Sequence, residues 1–211
     1  MNKRKAYISH DAREEIVSYI EKKGFEPVII TGPAENPIGS HPDLYMCCLG
    51  PYIFHGEKEL VGNSYPSDSI YNAACTGSFF IHNLNITDER LLAEAKILDL
   101  TLIDVKQGYA KCNTCIVDEN SIITSDAGIA KACRGKLEVC LISPGSIALK
   151  GFKYGFIGGA SGRIDNEIIF NGNLDAHPDT EIIKDFIYSR GLTIKQFEEY
   201  SLTDIGSIIA E

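Results

Sequence analysis

Apolar positions along this chain change period repeatedly, from short β-like runs to helical stripes and back. Residues 6–8 read as a strand and 11–23 as a helix with Ile16, Val17 and Ile20 on one face, capped by Gly24 and followed by a strand over 27–30. Residues 79–82 predict a strand. Thr87 is the expected cap of a helix whose stripe is Leu91, Leu92, Ala95 and Leu98, and 100–105 the strand after it. Two short β runs, 115–118 and 121–124, flank the turn residues Asp118-Glu119-Asn120. Asp126 then caps a helix over 127–134, Gly135 ends it, and 137–142 is an apolar strand. Strands at 163–165 and 167–170, a helix over 179–189 stopped by Gly191, and a strand over 192–194 repeat that order. An isolated β run, 205–209, closes the chain.

The order is a repeat visible in the letters themselves. Gly108-Tyr-Ala-Lys111-Cys112-Asn-Thr-Cys115 lies over Gly155-Phe-Ile-Gly158-Gly159-Ala-Ser161-Gly162 at an offset of 47 residues. Fainter copies start at Tyr71-Asn72 and at His41-Pro42-Asp43. Each unit is a hairpin, a helix and a strand, and such a unit needs neighbours to cover its apolar faces. About five units fit the length if the run 205–209 joins residues 6–8. Residues 1–211 are therefore expected to form a single α/β domain that closes on itself.

Composition narrows the function classes. The chain has 211 residues, 44% hydrophobic and 23% charged, with a formal net charge of −9. That balance argues against nucleic-acid binding through bulk charge. No apolar run is long enough to span a membrane, no secretion signal is expected, and seven cysteines, an odd number, read as reduced thiols in a cytoplasmic protein.

Five ββαβ units closed by pairing of the N- and C-terminal strands resemble the pentein fold, the five-fold α/β-propeller of the guanidine-modifying enzymes and of a non-catalytic ribosome anti-association factor. The segments 105–118 and 155–162 are similar to a clostridial-type group within it. The resemblance implies a small-molecule site on the pseudo-fivefold axis, at the starts of the first strands, where the enzymes place a carboxylate, a histidine and a cysteine from the last unit. The last unit here, from Gly158-Gly159-Ala160-Ser161-Gly162 to the end of the chain, has no cysteine, and Lys111-Cys112-Asn113 stands where agmatine deiminases carry a carboxylate. The usual triad does not carry over, which leaves the enzyme question open.

The residues themselves offer a different set. Cys112 is the best candidate nucleophile: it starts a first strand, and Lys111 beside it is expected to favour the thiolate. His41 and Asp43 are the matching base and carboxylate, with His177 a second candidate base that more simply opens a helix. Asp68, Asn72, Lys111, Ser161 and Gly159 are expected to line the same cleft, the glycine by letting backbone approach. Asp43 and Asp68 would meet a ligand's amine or guanidine and Lys111 its carboxylate, so an amino-acid-like zwitterion is the expected ligand. No cofactor and no metal are expected. Cys112 and Cys115, three apart on a strand, point to opposite faces. The glycine-rich segment precedes a strand and not a helix N-terminus, which argues against a phosphate loop. Two functions are consistent with this set, a Cys112-dependent hydrolase or transferase, or a non-catalytic binding or scaffold propeller.

Overall fold

The computed structural model describes residues 3–33, 36–50 and 52–211. The first unit is β1 (Arg4–Ser9), α1 (Glu14–Lys22) and β2 (Phe25–Ile30). The second is the hairpin β3 (Met46–Leu49) and β4 (Tyr52–His55). The third comprises β5 (Ala74–Cys75), β6 (Phe79–His82), α2 (Glu89–Ile97) and β7 (Thr101–Asp104). The fourth has a short α3 (Ala110–Asn113), then β8 (Thr114–Asp118), β9 (Ser121–Thr124), α4 (Ala127–Cys133) and β10 (Glu138–Leu141). The fifth has β11 (Ser161–Ile164), β12 (Glu167–Phe170), α5 (Thr180–Tyr188) and β13 (Thr193–Lys195), and β14 (Ile209–Ala210) comes last.

Among the described residues the strands form four three-stranded sheets and one hairpin, a mixed α/β architecture of small sheets. In the third, fourth and fifth units two antiparallel strands are followed by a helix and a parallel third strand. The first unit has the same form only because β14 supplies its first strand: Ala210 pairs antiparallel with Ala6 and Ile209 with Tyr7, while β1 and β2 run parallel. The expected joining of the two ends is thus present, displaced to 209–210. The second unit departs from the repeat, since 56–73 form turns and a 3-10 turn at Lys58–Leu60 instead of a helix and third strand.

The 47-residue offset survives folding. Thr114 and Ser161 each begin a first strand, and a bulge between Ile116 and Asp118 makes the earlier hairpin one residue longer. Local signals act where expected at most positions. Gly24, Gly135 and Gly191 end their helices at positive φ, and Asp126 Oδ1 accepts from the N–H groups of Gly128 and Ile129. The cap of α2 is Asp88, which accepts from Arg90 and Leu91, and not Thr87. Thr87 Oγ1 is engaged instead by His82 Nδ1 at 2.8 Å and by the carbonyl of Asn83.

Apolar packing joins the units in sequence. Tyr7 and Ile30 pack with Leu44, Met46 and Ile53; Cys47 and Leu49 with Tyr71, Phe80 and Leu91; Ile81 and Ile103 with Ile122 and Ile129. Val117 and Ile123 pack with Phe170, Ile183 and Ile187, and Ile164 and Ile169 with Ile8, Ile16 and Ile208. Each core is shared by two neighbouring units, so none is buried by one unit alone. The segments that precede the first strands are bonded to one another as well. Asn72 Nδ2 donates to Asp43 O (3.1 Å), Lys111 N to Asn72 O (2.9 Å), Gly159 N to Cys112 O (2.8 Å), Ser207 N to Gly159 O (2.9 Å) and Asp43 N to Gly206 O (3.2 Å). The circuit ends on the segment where it began.

Candidate functional site

This circuit joins Asp43, Asn72, Lys111, Cys112 and Gly159, all nominated by the sequence. Asp43 lies in a 3-10 turn over Pro42–Leu44 that directly precedes β3, and Cys112 in the single turn α3 that precedes β8. The Cys112 thiol donates to Asp43 Oδ2 at 3.0 Å, although both residues are buried. Asn72 fixes the pair. Its Oδ1 accepts from the backbone N–H of Lys111 (2.9 Å) and Cys112 (3.1 Å), and its Nδ2 donates to Asp43 O and to Cys112 Sγ (3.4 Å). All the hydrogen-bonding capacity of this buried amide is used, which sets its orientation.

Two further residues complete the cluster, and the sequence pattern did not nominate them. Asp204 is 3% exposed; its carboxylate accepts from Phe156 N (2.9 Å) and Gly206 N (3.0 Å) and stands 3.8 Å from His41 Nδ1. Ser207 has φ +71°, a conformation costly to a residue with a Cβ. Its hydroxyl accepts from Lys111 Nζ at 2.9 Å and can donate to Asp43 Oδ2 at 2.7 Å or Gly158 O at 2.9 Å. An Asp-x-Gly-Ser run was the available signal, because it is turn chemistry inside an apparent strand.

Glycines make this crowding feasible. A Cβ on Gly159 would lie 2.0 Å from Asp204 Oδ1, and one on Gly158 would lie 2.2 Å from Lys111 O. Gly159 thus admits the Asp204 carboxylate at a distance that a side chain would block.

Electrostatics follow from burial. Desolvation pushes the Cys112 thiol well above its usual range, and the charges of Asp43 and Asp204 push it further. The expectation that Lys111 would favour the thiolate therefore fails: its ammonium is turned to Ser207, and burial, with the carboxylates, holds the sulfur protonated. Burial raises Asp43 as well, and raises Asp204 to about 6, while it lowers His41 and so favours the neutral ring. Among the described residues, buried Asp43 Oδ1 has no hydrogen-bond partner.

Two cavities flank the cluster. One, about 140 Å³, has His41, Cys112 and Asp204 among its polar lining and Tyr109, Phe152, Tyr154 and Phe156 on its walls. The other, about 130 Å³, is lined by Lys111, Ser161, Arg163, Cys47, Cys48 and Cys75. The predicted residues are thus divided. Lys111 and Ser161 belong to the second cavity, where Ser161 Oγ also donates to Ile157 O. Asp68 is bonded to Tyr109 OH at 2.7 Å and lines a third cavity with Tyr65 and Phe152. An arrangement with Lys111 and both aspartates in one cleft is not what the structure contains, since adjacent residues on the α3 turn project to different sides. His177 Nδ1 accepts locally, from Asp179 N at 3.0 Å. All seven cysteines are free thiols. Among the described residues, no helix is long and apolar enough to cross a membrane.

Comparison with solved structures finds the agmatine deiminase of C. jejuni, with a TM-score of 0.46 and 10% sequence identity over 100% of this chain and 69% of that one. None of the curated proteins matches the chain. A family model does match, over residues 49–209, and by that match the chain belongs to the family of unknown function DUF6873.

Proposed function

We propose that the chain is a pentein-like five-fold α/β-propeller with a small-molecule site on its axis, where Cys112 carries out hydrolysis or group transfer on an amine- or guanidine-containing molecule. The observation that carries this reading is the Cys112 thiol donating to Asp43 at 3.0 Å beside His41 and Asp204, at the wall of a cavity. A nucleophile needs a base within hydrogen-bond reach, and a carboxylate made more basic by burial is such a base. The circuit of bonds and the five shared cores support the propeller.

The same electrostatics favour a cationic ligand. Two buried carboxylates and a thiol crowd one point, and aromatic faces line the cavity above it. A planar cation would pair with Asp204 and lie against Tyr109 or Phe156. Its charge would also lower the thiol pKa, so the nucleophile forms when ligand is bound. In the reaction Asp43 takes the Sγ proton, sulfur adds to the sp² carbon, the C–N bond breaks and the amine leaves with a proton. Water then releases the carbon from sulfur. A zwitterion is accommodated if its anionic end stays at the cavity mouth, because Lys111 opens elsewhere.

The second reading, a binding module without chemistry, is favoured by one observation: in the absence of a cation the thiol is held protonated. One experiment separates the readings. Thermal shifts are measured with agmatine, arginine, spermidine and a neutral isostere, alongside ammonia release and iodoacetamide labelling of Cys112. Guanidines that raise Tm, protect Cys112 and release ammonia support the enzyme. Protection without turnover selects the binding module, and no shift with any ligand rejects the site.

A further inference from the structure

We propose that His41, Cys112 and Asp204 form a three-residue binding site for zinc or another thiophilic divalent metal ion. The ligands come from three separate stretches of chain, are all buried, and each offers a donor atom within 4.8 Å of the other two. The set is imidazole, thiolate and carboxylate, which suits zinc and not magnesium or calcium. Donor atoms around a tetrahedral zinc stand about 3.5 Å apart, given bonds of ~2.0–2.3 Å. His41 Nδ1 and Asp204 Oδ1 are 3.8 Å apart, close to that spacing.

Three features show that the cluster is arranged for a cation and not merely buried. Asp204 is held by two backbone N–H groups, and Cys112 Sγ is oriented by Asn72, which is the outer support that metal ligands characteristically have. Asp43, in contact with the thiol, keeps Oδ1 without a partner among the described residues. Lys111 is hydrogen-bonded to Ser207, which donates to Asp43, so its ammonium is held one hydroxyl away from that carboxylate. All three ligands also line the 140 Å³ cavity, so a fourth coordination position opens into it for water or a small ligand. That is the open geometry of a reactive zinc site and not the closed one of a structural site. Binding releases the thiol proton to solvent, so affinity increases with pH.

The site uses the same cavity as the proposed amine chemistry but does not require that chemistry. A metal bound to Sγ occupies the nucleophile, and metal and guanidine are then competitors. Chelator-treated protein is titrated with Co²⁺ and then Zn²⁺. One cobalt per chain with a thiolate-to-cobalt charge-transfer absorption is expected, displaced by zinc, and stoichiometric zinc should block iodoacetamide labelling of Cys112. Cys112→Ser should abolish the absorption, and Asn72→Ala should weaken binding by roughly 10–100-fold. An unchanged labelling rate with saturating zinc overturns the proposal, as does an absorption that persists in Cys112→Ser. If that variant does not fold, the wild-type labelling arm decides. Guanidine thermal shifts recorded with chelator present report on the amine site separately, so either idea can fail alone.

Discussion

Asp43 and Cys112 lie 69 residues apart in the chain, and the thiol of one donates to the carboxylate of the other at 3.0 Å. No local signal links them. They meet because each precedes the first strand of its unit, and those segments are bonded in a circuit. The relationship makes the thiol harder to ionise while placing a proton acceptor beside it.

That dual effect is testable by Asp43→Asn. The substitution removes the nearby charge that raises the thiol pKa and keeps the volume of the side chain. Labelling of Cys112 by iodoacetamide near neutral pH should then be faster, on the order of 10-fold for each pKa unit recovered. Rates normalised to their own plateau at high pH separate ionisation from access. A normalised rate equal to wild type would mean that burial and Asp204, and not the Asp43 charge, set the thiol's acidity.

Stability should respond to pH through two opposing groups. His82 is buried between Thr87 Oγ1 and Gly108 O, and burial lowers it to about 4. Its contribution is present above the ordinary histidine range near 6.5 and is lost as pH falls through 4, about 3 kcal/mol in all. His41 and His177 act in the same direction. Asp204, raised to about 6, has the opposite sign: the folded state holds its proton more tightly, so stability is lost as pH rises from about 4 through 6, again by about 3 kcal/mol. Asp43 adds to that side. Wild-type unfolding free energy should therefore be nearly flat between pH 4 and 6.5. Asp204→Asn should unmask a steep acid loss, and His82→Gln a decline toward neutral pH. Urea titrations across that range check both slopes, and parallel profiles for all three proteins would contradict the assignment.

Closure by β14 makes the C-terminal segment structural. Ile205, Ile208 and Ile209 are each 2–3% exposed, and they pack against β1, α1 and the second unit. Burying each is worth about 1.5–3 kcal/mol. Removing residues 203–211 also uncovers an edge of β1. The truncated chain should lose at least several kcal/mol in urea unfolding, or fail to fold. A wild-type midpoint would show that the ends are joined only superficially.

The repeat made much of this arrangement readable. Its register placed Asn72, Cys112, Gly159 and the His41-Pro42-Asp43 run at equivalent points, and the structure brings them to one place. Asp204 and Ser207 escaped because the apolar letters of 205–209 suggest one strand. The chain turns there instead, with Gly206 and Ser207 both at positive φ, and only 209–210 pairs. Lys111 lies in the expected turn but opens into the other cavity, since the sequence position of a side chain on a single helical turn does not fix which side it faces. The missing helix of the second unit left no apolar stripe to find, and its polar turns were simply the absence of a pattern.

Gly206 tests whether that turn is as tightly determined as its contacts imply. Gly24 and Gly206 share a left-handed backbone, with φ +88° and +75°. A Cβ on Gly24 meets nothing within 4 Å, whereas one on Gly206 would lie 2.1 Å from His41 Cβ and 2.3 Å from His41 Cγ. Gly24→Ala should therefore cost only the backbone penalty, about 1–2 kcal/mol. Gly206→Ala bears the same penalty and must also displace His41 or the turn, adding roughly 1–3 kcal/mol. Since His41 contributes to the cavity beside Cys112, the second variant should lose guanidine and metal responses that the first retains. Urea unfolding of both proteins measures the difference directly. Equal costs would mean that His41 moves aside freely, and a histidine that moves aside freely could not hold either a ligand or a metal at a fixed distance from Asp204.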